Sequence, residues 1–533
     1  LDDAPWLDAI VRAAPHLFSL LDRDPRSRTY GLFDRRHWAW AFSDIAAPRA
    51  QEAVLPLALL HHADGSPHRG RPELLAWVGA GIAAWSRLAH ADGSFDEAYP
   101  GERSWGATAF TACAIAETLA LADGIDPKSR AIGERALGRA ADFLTAHDET
   151  HGTLSNHLAA GAAALALAAD RLGEARFGAA ADALVDRIAR EASAEGGLRE
   201  YGGVDPGYQS HALGYLALYA RRRPGRIDAL LARAVELLAW VVGPDGALAP
   251  EIGSRDTAFF FPAGVEALGD SLPLAATLAA RVRDATRSAT LPTIDAMDEP
   301  NWIPMLTSYA RAHRDRTRVA ATVALPCDGT GERWMRDAGL YVRNTSRYHA
   351  IVATTKGGVI AAIGRDGRTF HDAGWATGRA TSQWLGARVE PIDAAGSIAV
   401  TTSFRARRDA VPGVIDHLAL RAASATIGRT ARGAHAIKRL LVHRLIDREV
   451  RLPITLDRTI RCTETDITVD DRVVARGARP EDLAPVERTT SRHMGSARYF
   501  HARELAERAP VVEHARHDEG EVIVRRTRVS FLR

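Results

Sequence analysis

Ala- and Leu-rich segments in helical phase fill the first 315 residues or so, and several are apolar around most of their circumference. Examples are PELLAWVGAGIAAWSRLAHA from Pro72, ATAFTACAIAETLALA from Ala107, NHLAAGAAALALAAD from Asn156, HALGYLALYARR from His211 and LLARAVELLAWVV from Leu230. A helix without a polar face belongs between other helices, not on a surface. The region therefore reads as a thick, all-helical layer.

A repeat runs through it. Glycine, an apolar residue two positions on and an acidic or amide residue four positions on occur as Gly93-Phe95-Glu97, Gly152-Leu154-Asn156 and Gly196-Leu198-Glu200, with a looser copy at Gly246-Leu248-Glu251. The glycines are 59, 44 and 50 residues apart, room for one loop and two helices per unit, which is the period of stacked helical hairpins. Closed into a ring, such hairpins make an (α/α) toroid whose Gly loops open on one rim. The polar residues then converge on a cleft, although each alone could simply cap the next helix.

From about Val319 the texture changes to short β-branched runs such as YHAIVATT, GVIAAI, SIAVTTSF, RLPITLDRTI and VIVRRTRVSFL, separated by Gly, Asp and Asn turns. This is the antiparallel-sheet signature. The expected fold is thus multidomain α and β: an (α/α) toroid over residues 1–318, then an antiparallel β-sandwich over 319–533, joined by a linker from Arg314.

Charge narrows the partners. Lys+Arg number 68 against Asp+Glu 66, a formal net charge of +2, so no long-range field draws the chain onto nucleic acid or an anionic membrane. No apolar run approaches the roughly 18 residues that span a bilayer. Basic residues are nearly all Arg, with Lys only at 128, 356 and 438; the planar Arg fork fits a carboxylate or sulfate. Cys113, Cys327 and Cys462 lie far apart, so neither a disulfide framework nor a zinc knuckle is expected. No leader of basic, apolar and small residues opens the sequence as given, which fits a cytoplasmic chain or a secreted one with its leader removed.

Three polar clusters stand out against the Ala-rich background. GGLREYGGVDPGYQSH holds Arg199, Glu200, Tyr201, Asp205, Tyr208 and His211; Ser155-Asn156-His157 opens an otherwise apolar helix; GSFDEAYPGERSW holds Asp96, Glu97, Tyr99, Arg103 and Trp105. Polar and aromatic groups on Gly-rich loops above a helical scaffold are common in binding sites.

An Asn-His pair opening an inner helix, followed 51 residues later by a loop tyrosine, here Asn156-His157 and Tyr208, resembles the heparinase II/III-like polysaccharide lyases and related alginate lyases. The domain order resembles theirs too. The resemblance implies β-elimination on a uronate-containing glycan, with no cofactor or metal and an acidic polysaccharide or oligosaccharide as partner. Asn156, His157 and Tyr208 would be catalytic, and Arg103, Trp105, Arg199, Glu200 and His211 would bind substrate. Such lyases also carry a His-x-His stretch in an early sandwich strand. This sequence has none between Val319 and Val450; His349 is taken as the sandwich histidine, with His371 the other option.

These residue types suit the chemistry. Taking the C5 proton of a uronate adds negative charge beside a carboxylate, which requires hydrogen-bond donors or a cation there. Asn156 fits that need, helped by His157 or an arginine. Tyr208 can donate to the leaving oxygen, and either it or a histidine, His157 or one from the sheet half, takes the proton. The rival enzyme is a toroidal glycoside hydrolase using Glu97 or Asp96 with Glu200. A non-catalytic glycan-binding relative is the rival from another class. His514 and His517 have HxxH spacing in a charged segment where metal binding is not expected. No P-loop or GxSxG motif appears.

Overall fold

The repeated glycines sit where the chain passes from an outer helix to an inner one. Gly93 and Gly196 have φ of +87° and +89°, a region where glycine is unstrained. A Cβ at either would collide with the backbone of an outer helix, at Arg139 and Arg233 respectively. The apolar residue two places on, Phe95, Leu154, Leu198 or Leu248, is buried. The repeat thus encodes a hinge and its anchor.

The computed structural model describes residues 5–150, 152–391, 396–407, 411–444, 449–488, 495–500, 504–505 and 508–532. Its first half holds α1 (Trp6–Leu20), α2 (Arg35–Trp38), α3 (Val54–His62), α4 (Pro72–Leu88), α5 (Trp105–Leu121), α6 (Pro127–Ala146) and α7 (Ser155–Leu172). These are followed by α8 (Ala175–Glu191), α9 (Pro206–Arg222), α10 (Asp228–Val241), α11 (Ala263–Leu268), α12 (Pro273–Arg287) and α13 (Glu299–Arg314). Helices α3, α5, α7, α9, α11 and α13 each pack on the next, and α13 returns to α3, closing an inner ring. The other long helices lie outside it. Helices α5, α7 and α9 are buried over most of their length, which is why they lack a polar face. Inside the ring Arg311 of α13 meets Glu117 of α5 at 2.7 Å, and Arg314 meets the same carboxylate at 2.9 Å. These cations hold Glu117 below the usual carboxylate range against the opposing effect of burial.

A two-residue pair, β1 (Arg199–Glu200) and β2 (Gly203–Val204), forms a small hairpin before α9. The second half begins with the antiparallel sheet β3 (Gly331–Met335), β4 (Leu340–Asn344), β5 (Tyr348–Ala353), β6 (Val359–Gly364) and β7 (Thr369–Asp372), in that order. Its central strands β4, β5 and β6 are buried on both faces. Leu340, Val342, Ile351 and Ala353 join the helical core, whereas Tyr341, Tyr348, Ala350 and Val352 pack against the next sheet.

That larger antiparallel sheet contains β8 (Trp375–Ala376), β9 (Ala380–Thr381), β10 (Arg388–Pro391), β11 (Ile398–Ala406), β12 (Arg451–Cys462), β13 (Asp466–Ala475), β14 (Ala484–Pro485), β15 (Val511–Glu519) and β16 (Val522–Ser530). Its order is β14-β8-β9-β11-β12-β13-β16-β15, with β10 also on β11. The described second half is not purely β. Between β11 and β12 a helical pair, α14 (Val414–Ala425) and α15 (Ala431–Val442), reaches the toroid, where Arg421 meets Asp44 at 2.7 Å. Among the described residues no helix is long and apolar enough to cross a membrane.

One lysine ties the halves together. Lys356, after β5, is buried and donates to the carbonyls of Glu251 (2.8 Å) and Gly253 (2.6 Å) and to Asp256 Oδ1 (2.6 Å). A compact ammonium with three donors can serve three acceptors arranged around a point; a planar guanidinium fork cannot. The segment it fixes carries part of the site described next.

Candidate active site

Two adjacent rim loops meet through the residues four positions past their glycines. The backbone N–H and side-chain amide of Asn156, in the first turn of α7, both donate to Glu200 Oε1, at 2.9 and 2.6 Å. Both residues are buried. Arg255 approaches the other oxygen of Glu200 at 3.3 Å. Burial raises the Glu200 pKa, opposed by Arg255 and Asn156.

Arg255 is the residue that sequence reasoning missed. Its guanidinium carbon lies 3.6 Å from the ring centroid of Tyr208 and 5.2 Å from that of Tyr201. Burial works against its charge, but Tyr208, Glu200, Tyr201 and Asp205 around it raise its pKa. Asp205 sets the pairing with Tyr208: it caps α9 by accepting from the Tyr208 N–H (3.0 Å), and its second oxygen accepts from the Arg255 N–H (2.9 Å). A side chain fixed between two backbone segments positions both more firmly than either loop alone. Nothing in local sequence marks Arg255, since it lies 47 residues past Tyr208 in a loop.

His157 stands beside this group. Its Nδ1 is 2.6 Å from Oε2 of the buried Glu149, which fixes the ring. The floor beneath is aromatic: Phe110 meets His157 edge-on at 5.2 Å and stacks on His211 at 5.7 Å, and His211 meets Phe261 at 4.0 Å and Tyr208 at 6.4 Å. Arg49, also unmarked in the sequence, lies 3.9 Å over Phe110 and pairs with Glu52.

Several expected binding residues belong elsewhere. His211 is buried and its pKa is lowered well below the ordinary value, by burial first and then by Arg49 and Arg311, so it is a neutral floor residue. Trp105 is buried between helices with its indole N–H on the carbonyl of His147 (3.0 Å), where a Cβ at Gly161 would strike its ring, so it presents no face to a sugar. Arg103 pairs with Asp92. Arg199 points at Asp337 (2.8 Å) across the interface between the halves. Both arginines are committed to structural carboxylates. Glu97, whose oxygen accepts from Ser104 Oγ at 3.0 Å, lies 3.8 Å from Arg49. Asp96 accepts from the N–H groups of Gly101 (2.7 Å) and Arg103 (3.0 Å), and these with His90 hold its pKa down against burial. Glu200 is enclosed by Asn156 and Arg255, while Asp96 and Glu97 are each held by partners of their own.

The sheet histidines are likewise outside this group. His349 is buried on β5 with Nδ1 2.6 Å from Asn344 Oδ1, and burial pushes its pKa down to about 3. A buried group so hard to protonate, held by Asn344, is no proton shuttle. His349→Ala should therefore leave the initial rate per folded molecule near wild type. Its stability should fall by about 1–3 kcal/mol, the range for a buried polar partner left unsatisfied; rate and melting measured on one preparation check this.

His371 faces Glu251 and Arg488 at a cavity of about 320 Å³ where the toroid meets the small sheet. Burial would raise the Glu251 pKa, but His371 and Arg488 bring it down to about 2. The unfolded carboxyl titrates near 4.3. A depressed carboxyl stabilises the fold above its unfolded pKa and loses that contribution as pH falls through the folded value. The gap in denaturation free energy between wild type and Glu251→Gln should thus be about 3 kcal/mol above pH ~5 and close toward pH ~2. Among the described residues no group of three or more His, Cys, Asp or Glu side chains is arranged to hold a metal.

Residues 41–261 match the family model of the ulvan lyase N-terminal domain. In fold the chain is similar to Streptomyces coelicolor A3 chondroitin AC lyase in complex with chondroitin sulphate, at 11% identity and a TM-score of 0.53, over 99% of this chain and 76% of that one. A mutant of the same enzyme gives a TM-score of 0.55 with the same identity and coverage. Heparinase III is similar at 10% identity and a TM-score of 0.47, over 88% of this chain and 70% of that one. A comparison with curated proteins gives no sequence match.

Proposed function

We propose that this chain, a heparinase-like polysaccharide lyase with an ulvan-lyase-type helical domain, cleaves an acidic, uronate-containing glycan by β-elimination at the toroid rim. The described sheets are read as the sandwich that completes such a lyase, with the helical catalytic part ending near residue 318. The observation that carries the proposal is the Arg255 guanidinium 3.6 Å over the Tyr208 ring, with Asn156 held on the same Glu200 carboxylate.

The chemistry follows from these groups. The uronate carboxylate lies against Asn156, whose amide nitrogen has a second hydrogen to give, and against Arg255. Together they stabilise the charge that develops when the C5 proton leaves. His157, oriented by Glu149, takes that proton. Electrons of the C5–H bond form the C4–C5 double bond as the C4–O bond breaks, and Tyr208 gives its proton to the departing oxygen. Arg255 beside the ring stabilises the resulting phenolate. The proton on His157 then returns to Tyr208 through water, restoring both groups.

The test is a near-ultraviolet absorbance screen against ulvan, glucuronan, chondroitin-like, heparin-like and alginate substrates. A new unsaturated product from at least one is the expected result. Reducing ends without absorbance would mean hydrolysis, and binding without either product would mean a non-catalytic relative.

A further inference from the structure

Arg525 of β16 is a half-buried cation away from the rim that makes no ion pair with any described residue. It lies 5.8 Å from the ring centroid of Trp375. The carboxylates whose charge it feels, Asp372 and Asp471, are already engaged by Arg458, at 2.8 Å for the first and at 2.7 and 2.8 Å for the second. Arg525 Nη2 is 3.0 Å from His514 Nδ1, and its Nη1 is buried without a hydrogen-bond partner among the described residues. Burial lowers its pKa, yet a guanidinium cannot shed its proton at ordinary pH. A half-buried guanidinium that lines a groove and has no carboxylate partner among the described residues gains from an oxyanion brought to its accessible side through short charge-assisted bonds.

Arg525 opens into a groove of about 880 Å³ that His514, Arg488, His371 and Val512 also line. Glu487 lines it too but forms no ion pair with Arg525. His371 is shared with the cavity at the junction of the halves, whose other wall includes Glu251 and Ala258. The groove and that cavity therefore adjoin at His371.

We propose that this groove is an auxiliary subsite binding a carboxylate or sulfate group of the same acidic glycan, several sugars from the bond that breaks. The inference rests on the lyase reading for its ligand and on Arg525 for its place.

Affinity electrophoresis of the full chain in gels containing unsulfated glucuronan or sulfated ulvan tests it, alongside initial rates on the polymers and on their tetrasaccharides. Arg525→Ala should lose retardation and raise KM for the polymer about tenfold, the loss of roughly 1.4 kcal/mol, with kcat and tetrasaccharide rates unchanged. Arg525→Gln, which retains more of the packing, should behave alike. Loss confined to the ulvan gel assigns a sulfate; loss in the glucuronan gel assigns a carboxylate. Equal retardation of wild type and both variants, or no retardation of wild type in either gel, overturns the subsite. Retardation that depends on Arg525 without any unsaturated product from wild type keeps the subsite and overturns the lyase reading.

Discussion

Tyr208→Phe is expected to lower turnover on the order of 10³-fold, within the range for removing a general acid, while leaving the melting temperature and substrate affinity near wild type. The variant deletes one oxygen from a half-buried ring whose place is set by other atoms: its backbone N–H is bound by Asp205 and its face is covered by Arg255. The loss should therefore fall on kcat. Absorbance at saturating substrate, with calorimetric binding to the inactive variant, separates the two quantities. A kcat within a few-fold of wild type would remove Tyr208 from the reaction and leave the leaving oxygen to another donor.

Arg255→Ala is the second large effect, and it combines stability with rate. Removing the guanidinium leaves Glu200 buried beside Asn156 without its cation, a change that costs about 3–5 kcal/mol when a buried pair is broken from one side. Turnover should fall by about 10²–10³-fold, as when one preorganised charge-stabilising donor is lost. The contributions are separable because Glu200→Gln removes the stranded charge. The double variant Arg255→Ala/Glu200→Gln should recover much of the stability and none of the rate. If the rate returned with the stability, Arg255 would be a structural counter-ion only.

Both predictions join residues that the sequence treats differently. Asn156, Glu200 and Tyr208 were legible because polar side chains in Ala-rich helices and Gly loops stand out, and because the Gly-x-apolar repeat puts the first two at equivalent places on neighbouring turns. Arg255 was not legible. It is one arginine among many in a chain that uses lysine three times, and it acquires its meaning from Asp205, which ties its backbone to the start of α9. Trp105 misled for the opposite reason: an aromatic residue beside polar ones reads as a sugar platform, but the first turn of an inner helix directs it into the core. The helices α14 and α15 show a helical period in their own residues, yet they interrupt a β-rich stretch whose texture masks them.

Periodicity and glycine spacing determined the closed helical layer, the change to antiparallel sheet and the rim on which polar residues gather, because local φ/ψ demands and the need to bury apolar faces are written residue by residue. Only the tertiary structure decided which cation faces which acid. Arg103 and Arg199 are held by Asp92 and Asp337, Arg255 by Glu200 and Tyr208, and Arg525 by no carboxylate among the described residues. The physical reason is that charge pairing falls off with distance in space and is indifferent to distance along the chain.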